Sequence, residues 1–150
     1  VDVLAAKAEM GLVLAFLMTL VTLWLNDALG TQPAALMLSV AVGALMLAEV
    51  GLLFCGGAKD SKTLFALMKS VNILLFAPVI FYIFPDGPQW IAQIFPTYWI
   101  INPIFEVAVQ DAGLGDVVGQ LAVALVICLA LVPALVWVSR RMTTQEMSAA

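Results

Sequence analysis

Four long apolar stretches constrain this chain more than any other feature. They cover about residues 6–25, 34–55, 64–84 and 117–138. A helix needs roughly 20 mostly apolar residues to cross the ~30 Å hydrocarbon core of a bilayer. The chain is 64% hydrophobic and 11% charged, so it has too few polar residues to cover a water-soluble globule of its size. The pattern predicts an all-α membrane protein, with four transmembrane helices in a single domain over 1–150.

The basic residues predict the orientation of these spans. All six lie before the first span, between the second and the third or just inside the third, or after the fourth: Lys7, Lys59, Lys62, Lys69, Arg140 and Arg141. Short cytoplasmic loops carry the Lys/Arg excess in membrane proteins. We therefore expect both termini to be cytoplasmic, in a bacterial cytoplasmic membrane. The basic residues form no continuous patch, which argues against a nucleic-acid partner.

The segment 85–116 is too apolar for a solvated loop, and each of its amphipathic pieces is too short to span. Its first piece, 89–95, has the pattern of a short interfacial helix. Asn102 suits the cap of a second helix and Pro103 its first position. We expect an extracytoplasmic re-entrant helical hairpin, broken around Pro96. It would serve either as a gate or only as a cover for the spans. The gate residues would be Phe95, Pro96, Tyr98, Trp99, Asn102, Pro103 and Glu106.

Glu49 is the most informative single residue, because a charged side chain inside a membrane-spanning helix costs roughly 2.5–3.5 kcal/mol on insertion scales. If the second and third spans form an antiparallel hairpin, Glu49 lies level with Lys69, and Asn72 lies one turn deeper. Two interpretations follow: a structural ion pair near the cytoplasmic edge, which we favour, or a polar point on a transport pathway.

Small residues recur four positions apart in the second span, at Ser39 and Gly43 and at Ala44 and Ala48. Small side chains let helix backbones approach closely in lipid, where packing drives association. This face is expected to pack within the subunit; a seam between two subunits is the alternative.

The order of these features resembles a known family. Three apolar spans are followed by a segment with Phe-Pro-Thr-Tyr-Trp at 95–99 and Asn-Pro-Ile at 102–104, and the last span ends in Arg140 and Arg141. This pattern resembles the C-terminal two-thirds of permeases of the type-2 ATP-binding-cassette (ABC) exporter family, over about 3–141. The resemblance implies that the four spans are the third to sixth of such a permease. Such a permease begins with two spans and a coupling helix that these residues do not contain, so the sequence is expected to be a fragment, one part of a split permease, or a family descendant that serves as a structural subunit.

The resemblance implies a permease subunit that moves a hydrophobic or amphipathic cargo with a cytosolic ATPase subunit and a second permease copy or paralogue. The chain has no histidine, no catalytic constellation and no Gly-x-x-x-x-Gly-Lys-Ser/Thr loop for ATP phosphates. We therefore expect no cofactor, metal or catalytic residue on this chain; ATP would bind to the partner. The alternative is a non-transporting structural subunit of a larger membrane complex, respiratory or photosynthetic.

Overall fold

A computed structural model describes the backbone of residues 2–58, 60–84 and 88–149. Side chains are described for the same residues except 2–5, 7, 56, 57, 71, 74, 89, 139 and 141–149. Within these ranges the regular structure is entirely helical, which confirms the all-α class. The elements in chain order are α1 (Asp2–Leu25), α2 (Pro33–Gly57), α3 (Ser61–Ile83), a 3-10 helix (Gln89–Ile94), α4 (Tyr98–Gln110) and α5 (Leu114–Ala149).

Four of these helices are long and apolar enough to cross a membrane. Their apolar windows are Ala8–Leu25, Pro33–Cys55, Ser61–Ile83 and Leu114–Val138. The windows agree with the four predicted spans to within a few residues. The two shorter helices fall in the predicted re-entrant segment, whose residues 85–87 lie outside the described part of the chain. That these two helices dip into the bilayer stays a prediction.

Helix α2 lies at the centre of the bundle. It packs along both α1 and α5, and α4 packs against α2 and α5. Helix α3 contacts α2, α4 and the 3-10 helix more sparsely. The main buried cluster comes from α2, α4 and α5: Ala35, Leu36, Val40, Val42, Val107, Val117, Leu121 and Ala124. The short helix α4 is therefore part of the core, whereas α3 lies at the edge of the bundle.

The small-residue face of α2 is what lets α4 approach. Ser39, Gly43 and Ala44 are buried. A Cβ atom added at Gly43 would lie 2.5 Å from Cγ2 of Ile100 on α4, closer than real atoms approach. Dense packing leaves no room for even one extra methyl group here. The small-residue face therefore packs within the subunit, as the sequence predicts, and at Gly43 it packs against α4.

The loop between α1 and α2 is tied to the end of α4. The backbone N–H and the hydroxyl of Thr31 donate to Oδ1 of Asp111, at 2.9 and 3.1 Å. Asp111 closes α4 in the left-handed conformation, with φ of 55°. Gly30 has φ of 63°, and a Cβ there would lie 3.1 Å from the carbonyl oxygen of Val107. This latch fixes α4 at its C-terminal end.

Helix α4 begins earlier than the sequence suggests. A break occurs around Pro96, as predicted, because the 3-10 helix ends at Ile94 and α4 begins at Tyr98. The expectation that Asn102 caps this helix and Pro103 opens it is wrong, since both lie inside α4. Turn hydrogen bonds over residues 95–101 already start the helix before Asn102 is reached. The Asn102 side chain therefore does not cap the helix and can form other hydrogen bonds.

Candidate functional site

Polar side chains from three helices meet where α4 lies beside the end of α3 and the start of α5. Asn102 and Glu106 are four residues apart on α4, so they share one face of that helix. Tyr82 comes from the last turn of α3, and Gln120 comes from the second turn of α5. These four residues form what we call the polar network.

Hydrogen bonds close Asn102, Glu106 and Gln120 into a ring, and Tyr82 is attached to it through Asn102. The Tyr82 hydroxyl donates to Oδ1 of Asn102 at 2.7 Å. Nδ2 of Asn102 donates to Oε1 of Glu106 at 2.7 Å and to Oε1 of Gln120 at 2.9 Å. Nε2 of Gln120 completes the ring by donating to Oε2 of Glu106 at 2.9 Å. Each carboxylate oxygen thus receives one amide N–H, and bonds linked in this way reinforce one another where the dielectric is low.

A small cavity adjoins the polar network. Its volume is about 30 Å³, more than the roughly 10–15 Å³ that a cavity needs to hold one water molecule. The residues that line it are Phe81, Tyr82, Ala92, Tyr98 and Asn102. Aromatic side chains therefore supply most of the wall, and the amide of Asn102 joins the cavity to the polar network.

Several residues of the predicted gate meet at this place. Asn102 and Glu106 belong to the polar network, and Tyr98 lines the cavity. The Trp99 ring meets the Tyr98 ring edge-on with centroids 5.5 Å apart, and its Nε1 donates to the carbonyl oxygen of Gln93 at 3.1 Å. The other predicted residues lie in the turn before α4 or inside it and add no polar group to the network: Phe95, Pro96 and Pro103.

The sequence reasoning missed two members of the polar network, Tyr82 and Gln120. Gln120 carried a usable signal, because an amide in an otherwise apolar span needs a partner. Tyr82 carried a weaker one, since tyrosine is common wherever a span meets the membrane surface. Neither signal says which way the side chain points around its helix.

Glu49 has a different neighbour from the one expected. Its side chain is buried beside the thiol of Cys128 on α5, and its Oε2 has no hydrogen-bond partner. Lys69 and Asn72 are exposed on α3. In the part of the chain that the structure describes, no ion pair joins Glu49 to Lys69, because Glu49 faces α5 while α3 packs only sparsely on α2.

A family of known proteins matches most of the chain. The family described as "Fluoroquinolones export permease protein Rv2686c-like" matches residues 3–136. Together with the four apolar helices, this match makes the chain an integral membrane protein of the transporter class rather than an enzyme. The chain belongs to the Rv2686c-like family of export permeases. No curated protein and no solved structure gave a match.

Proposed function

We propose that this chain is the membrane-spanning subunit of an ABC-type exporter, driven by a separate cytosolic ATPase. The observation that carries the proposal is the export permease family match over nearly the whole of a chain with four spanning helices. The chain lacks the phosphate-binding loop of an ATPase, so ATP hydrolysis belongs to a partner. A second permease copy or paralogue would complete the translocation pathway.

The proposed cargo is a fluoroquinolone or a similar amphipathic compound. The family description supplies the compound class, and the scarcity of charge along the spans suits a cargo that partitions into lipid. The relation of the four helices to the third to sixth spans of a larger permease belongs to the same proposal.

In the proposed orientation both termini are cytoplasmic and residues 88–110 cover the extracytoplasmic exit. Helix α4 would act as the gate because it is short, packs on α2 and α5, and carries the wall of the cavity at Tyr98. Closure of the ATPase would rock the spans against the second permease and open this exit, which is the domain motion common to alternating-access transporters.

The test measures ATP-dependent uptake of a fluoroquinolone into inverted vesicles that contain the permease with its ATPase. Wild-type complex should accumulate the drug, and a complex whose ATPase cannot hydrolyse ATP should not. Replacing Tyr98 and Trp99 by alanine should lower export while the complex stays intact. Trp90→Ala is the matched control, since its ring is exposed and does not line the cavity.

Two results would contradict the proposal. One is an intact wild-type complex that hydrolyses ATP without moving any fluoroquinolone or similar amphipathic compound. The other is unchanged export by the intact Tyr98→Ala/Trp99→Ala complex, which would remove the gate. Co-purification with electron-transfer subunits in place of an ATPase would favour the structural-subunit alternative.

A further inference from the structure

The polar network has more hydrogen-bond acceptors than donors. Tyr82 has one donor hydrogen, and the amides of Asn102 and Gln120 have two each. The four bonds of the network use all of these hydrogens except one on Gln120. The carboxylate of Glu106 accepts only two bonds although it offers about four acceptor sites. Acceptor sites on Glu106 therefore remain open to further donors.

No basic side chain in the described part of the chain reaches this carboxylate. Lys69 precedes Tyr82 by thirteen residues on α3, which is about 20 Å along the helix axis. Arg140 follows Gln120 by twenty residues on α5, or about 30 Å. Lys62 lies near the start of α3 and is farther from Tyr82 than Lys69 is. A carboxylate in an apolar bundle normally has a cationic partner, and in these described residues Glu106 has none.

The cavity beside the network suits a cation that also donates hydrogen bonds. The rings of Phe81, Tyr82 and Tyr98 line it, and the faces of aromatic rings attract cations. Asn102, which also lines the cavity, donates directly to Glu106, so the carboxylate lies one hydrogen bond behind the wall. A volume of about 30 Å³ has room for a small group such as an ammonium but is far below the roughly 300–1,000 Å³ of pockets that enclose a drug-sized ligand.

We propose that the cavity and the polar network form a subsite for a protonated amine carried by a larger amphipathic molecule. The ammonium group would lie among the aromatic rings and donate to the unused acceptors of the network, while the rest of the molecule stays outside the cavity. The inference rests on the proposed function, because the amine is taken to belong to the exported cargo. An ethanolamine lipid headgroup carries the same chemistry.

Binding to the intact complex in nanodiscs of phosphatidylglycerol tests the subsite at neutral pH. The probes are ciprofloxacin, whose secondary amine is protonated, its N-methyl analogue, which keeps the ammonium and adds bulk, and its N-acetyl analogue, which has no ammonium. All three keep the same ring carboxylate, so they differ in charge only at the amine. Wild-type complex should bind the two ammonium compounds about tenfold more tightly than the N-acetyl analogue. Equilibrium dialysis with detection of drug fluorescence measures the three affinities.

Variants locate the preference within the molecule. Glu106→Gln should bind all three probes alike, because the neutral amide carries no charge. Glu9→Gln removes the same charge from an exposed position on α1 and should keep the wild-type preference. The double variant Glu106→Gln/Gln120→Glu moves the carboxylate to α5 within the same ring and should restore the preference, even if Glu106→Gln alone is poorly folded.

Phosphatidylethanolamine in the nanodiscs identifies the source of the amine. If this lipid weakens binding of the two ammonium probes and spares that of the N-acetyl analogue, the headgroup ammonium occupies the subsite. If it has no effect, the amine of the cargo is the ligand; both results support an amine subsite.

Three results would overturn the proposal: equal affinity of the wild-type complex for the three probes, a preference that survives in Glu106→Gln, or no binding of any probe. The vesicle assay separates such a failure from a failure of the proposed function. ATP-dependent export without an amine preference leaves the exporter in place and removes the subsite. An amine preference without ATP-dependent export leaves the subsite in place and removes the proposed exporter function.

Discussion

Two glutamates lie inside this helical bundle, and their surroundings differ sharply. Glu106 receives an amide N–H on each carboxylate oxygen, from Asn102 and Gln120. Glu49 has the thiol of Cys128 beside one oxygen and no partner for the other. A thiol is a weak donor compared with an amide. A glutamate inside a helical bundle is either built into a hydrogen-bonded site or left with a weak partner, and only its neighbours decide which.

Removal of the built-in carboxylate should have the largest effect on stability. Glu106→Ala breaks two hydrogen bonds to a charged group and leaves amide hydrogens of Asn102 and Gln120 without acceptors. We expect the free energy of unfolding to fall by about 3 kcal/mol. Unfolding in detergent micelles measures it, with the exposed Glu9→Ala as control. Equal losses in the two variants would show that the ring adds nothing.

The close contact between α2 and α4 at Gly43 should have the next largest effect on stability. Gly43→Ala places a methyl group against Ile100 and should destabilise the packing of α4 on α2 by about 2 kcal/mol. Gly51→Ala is the matched control on the same helix, because nothing lies within 4 Å of a Cβ there. A helical alanine is favoured over glycine, so the control should gain up to about 1 kcal/mol. Equal effects at the two positions would exclude the close α2–α4 contact.

The accommodated glutamate should tolerate neutralisation. Glu49→Gln keeps an acceptor for Cys128 and removes a buried, incompletely paired charge. The free energy of unfolding should therefore rise by at most about 1 kcal/mol. Lys69→Gln should be neutral, since its ammonium is exposed on α3. A double-mutant cycle that found strong coupling between Glu49 and Lys69 would instead restore the ion pair predicted from the sequence.

The exposed carboxylate of Asp60, at the start of α3, should show the smallest effect. Asp60 accepts the backbone N–H of Thr63 at 2.7 Å. The side chain of Thr63 and this backbone hydrogen bond together lower the pKa of the Asp60 carboxyl at the start of α3. The cap is therefore fully formed above the ordinary Asp pKa of about 3.9 and is lost as pH falls through the lowered value. The Thr63 amide proton shift should titrate with a midpoint below 3.9, and in Asp60→Asn it should not titrate.

The sequence predicted the helices better than the contacts between them. Continuous apolar stretches identified α1, α2, α3 and α5, because the length of such a stretch reports directly on a membrane span. The break near Pro96 was also readable, since proline disfavours helical geometry in the residue before it. The start of α4 was not, because the turn that opens it depends on hydrogen bonds over residues 95–101, which local propensity does not encode.

The candidate site was only half readable, for a related reason. Asn102 and Glu106 were visible as polar residues four apart in one short segment. Tyr82 and Gln120 join them from helices that are distant in the sequence. The partner of Glu49 was missed in the same way, since depth along a span placed it level with Lys69 while its direction around the axis placed it against Cys128.

The sequence alone thus determined the all-α class, the number of helices long and apolar enough to cross a membrane, and their bounds to within a few residues. Hydrophobicity is a sum over residues and needs no knowledge of neighbours. Only the tertiary structure decided which carboxylate is built into a ring of amides and which is left with a thiol. Each residue turns a helix by about 100°, so contacts depend on the rotation and the order of all five α-helices at once. Packing sets that rotation: the absence of a side chain at Gly43 admits Ile100, which brings α4 against α2 and Glu106 within reach of Gln120.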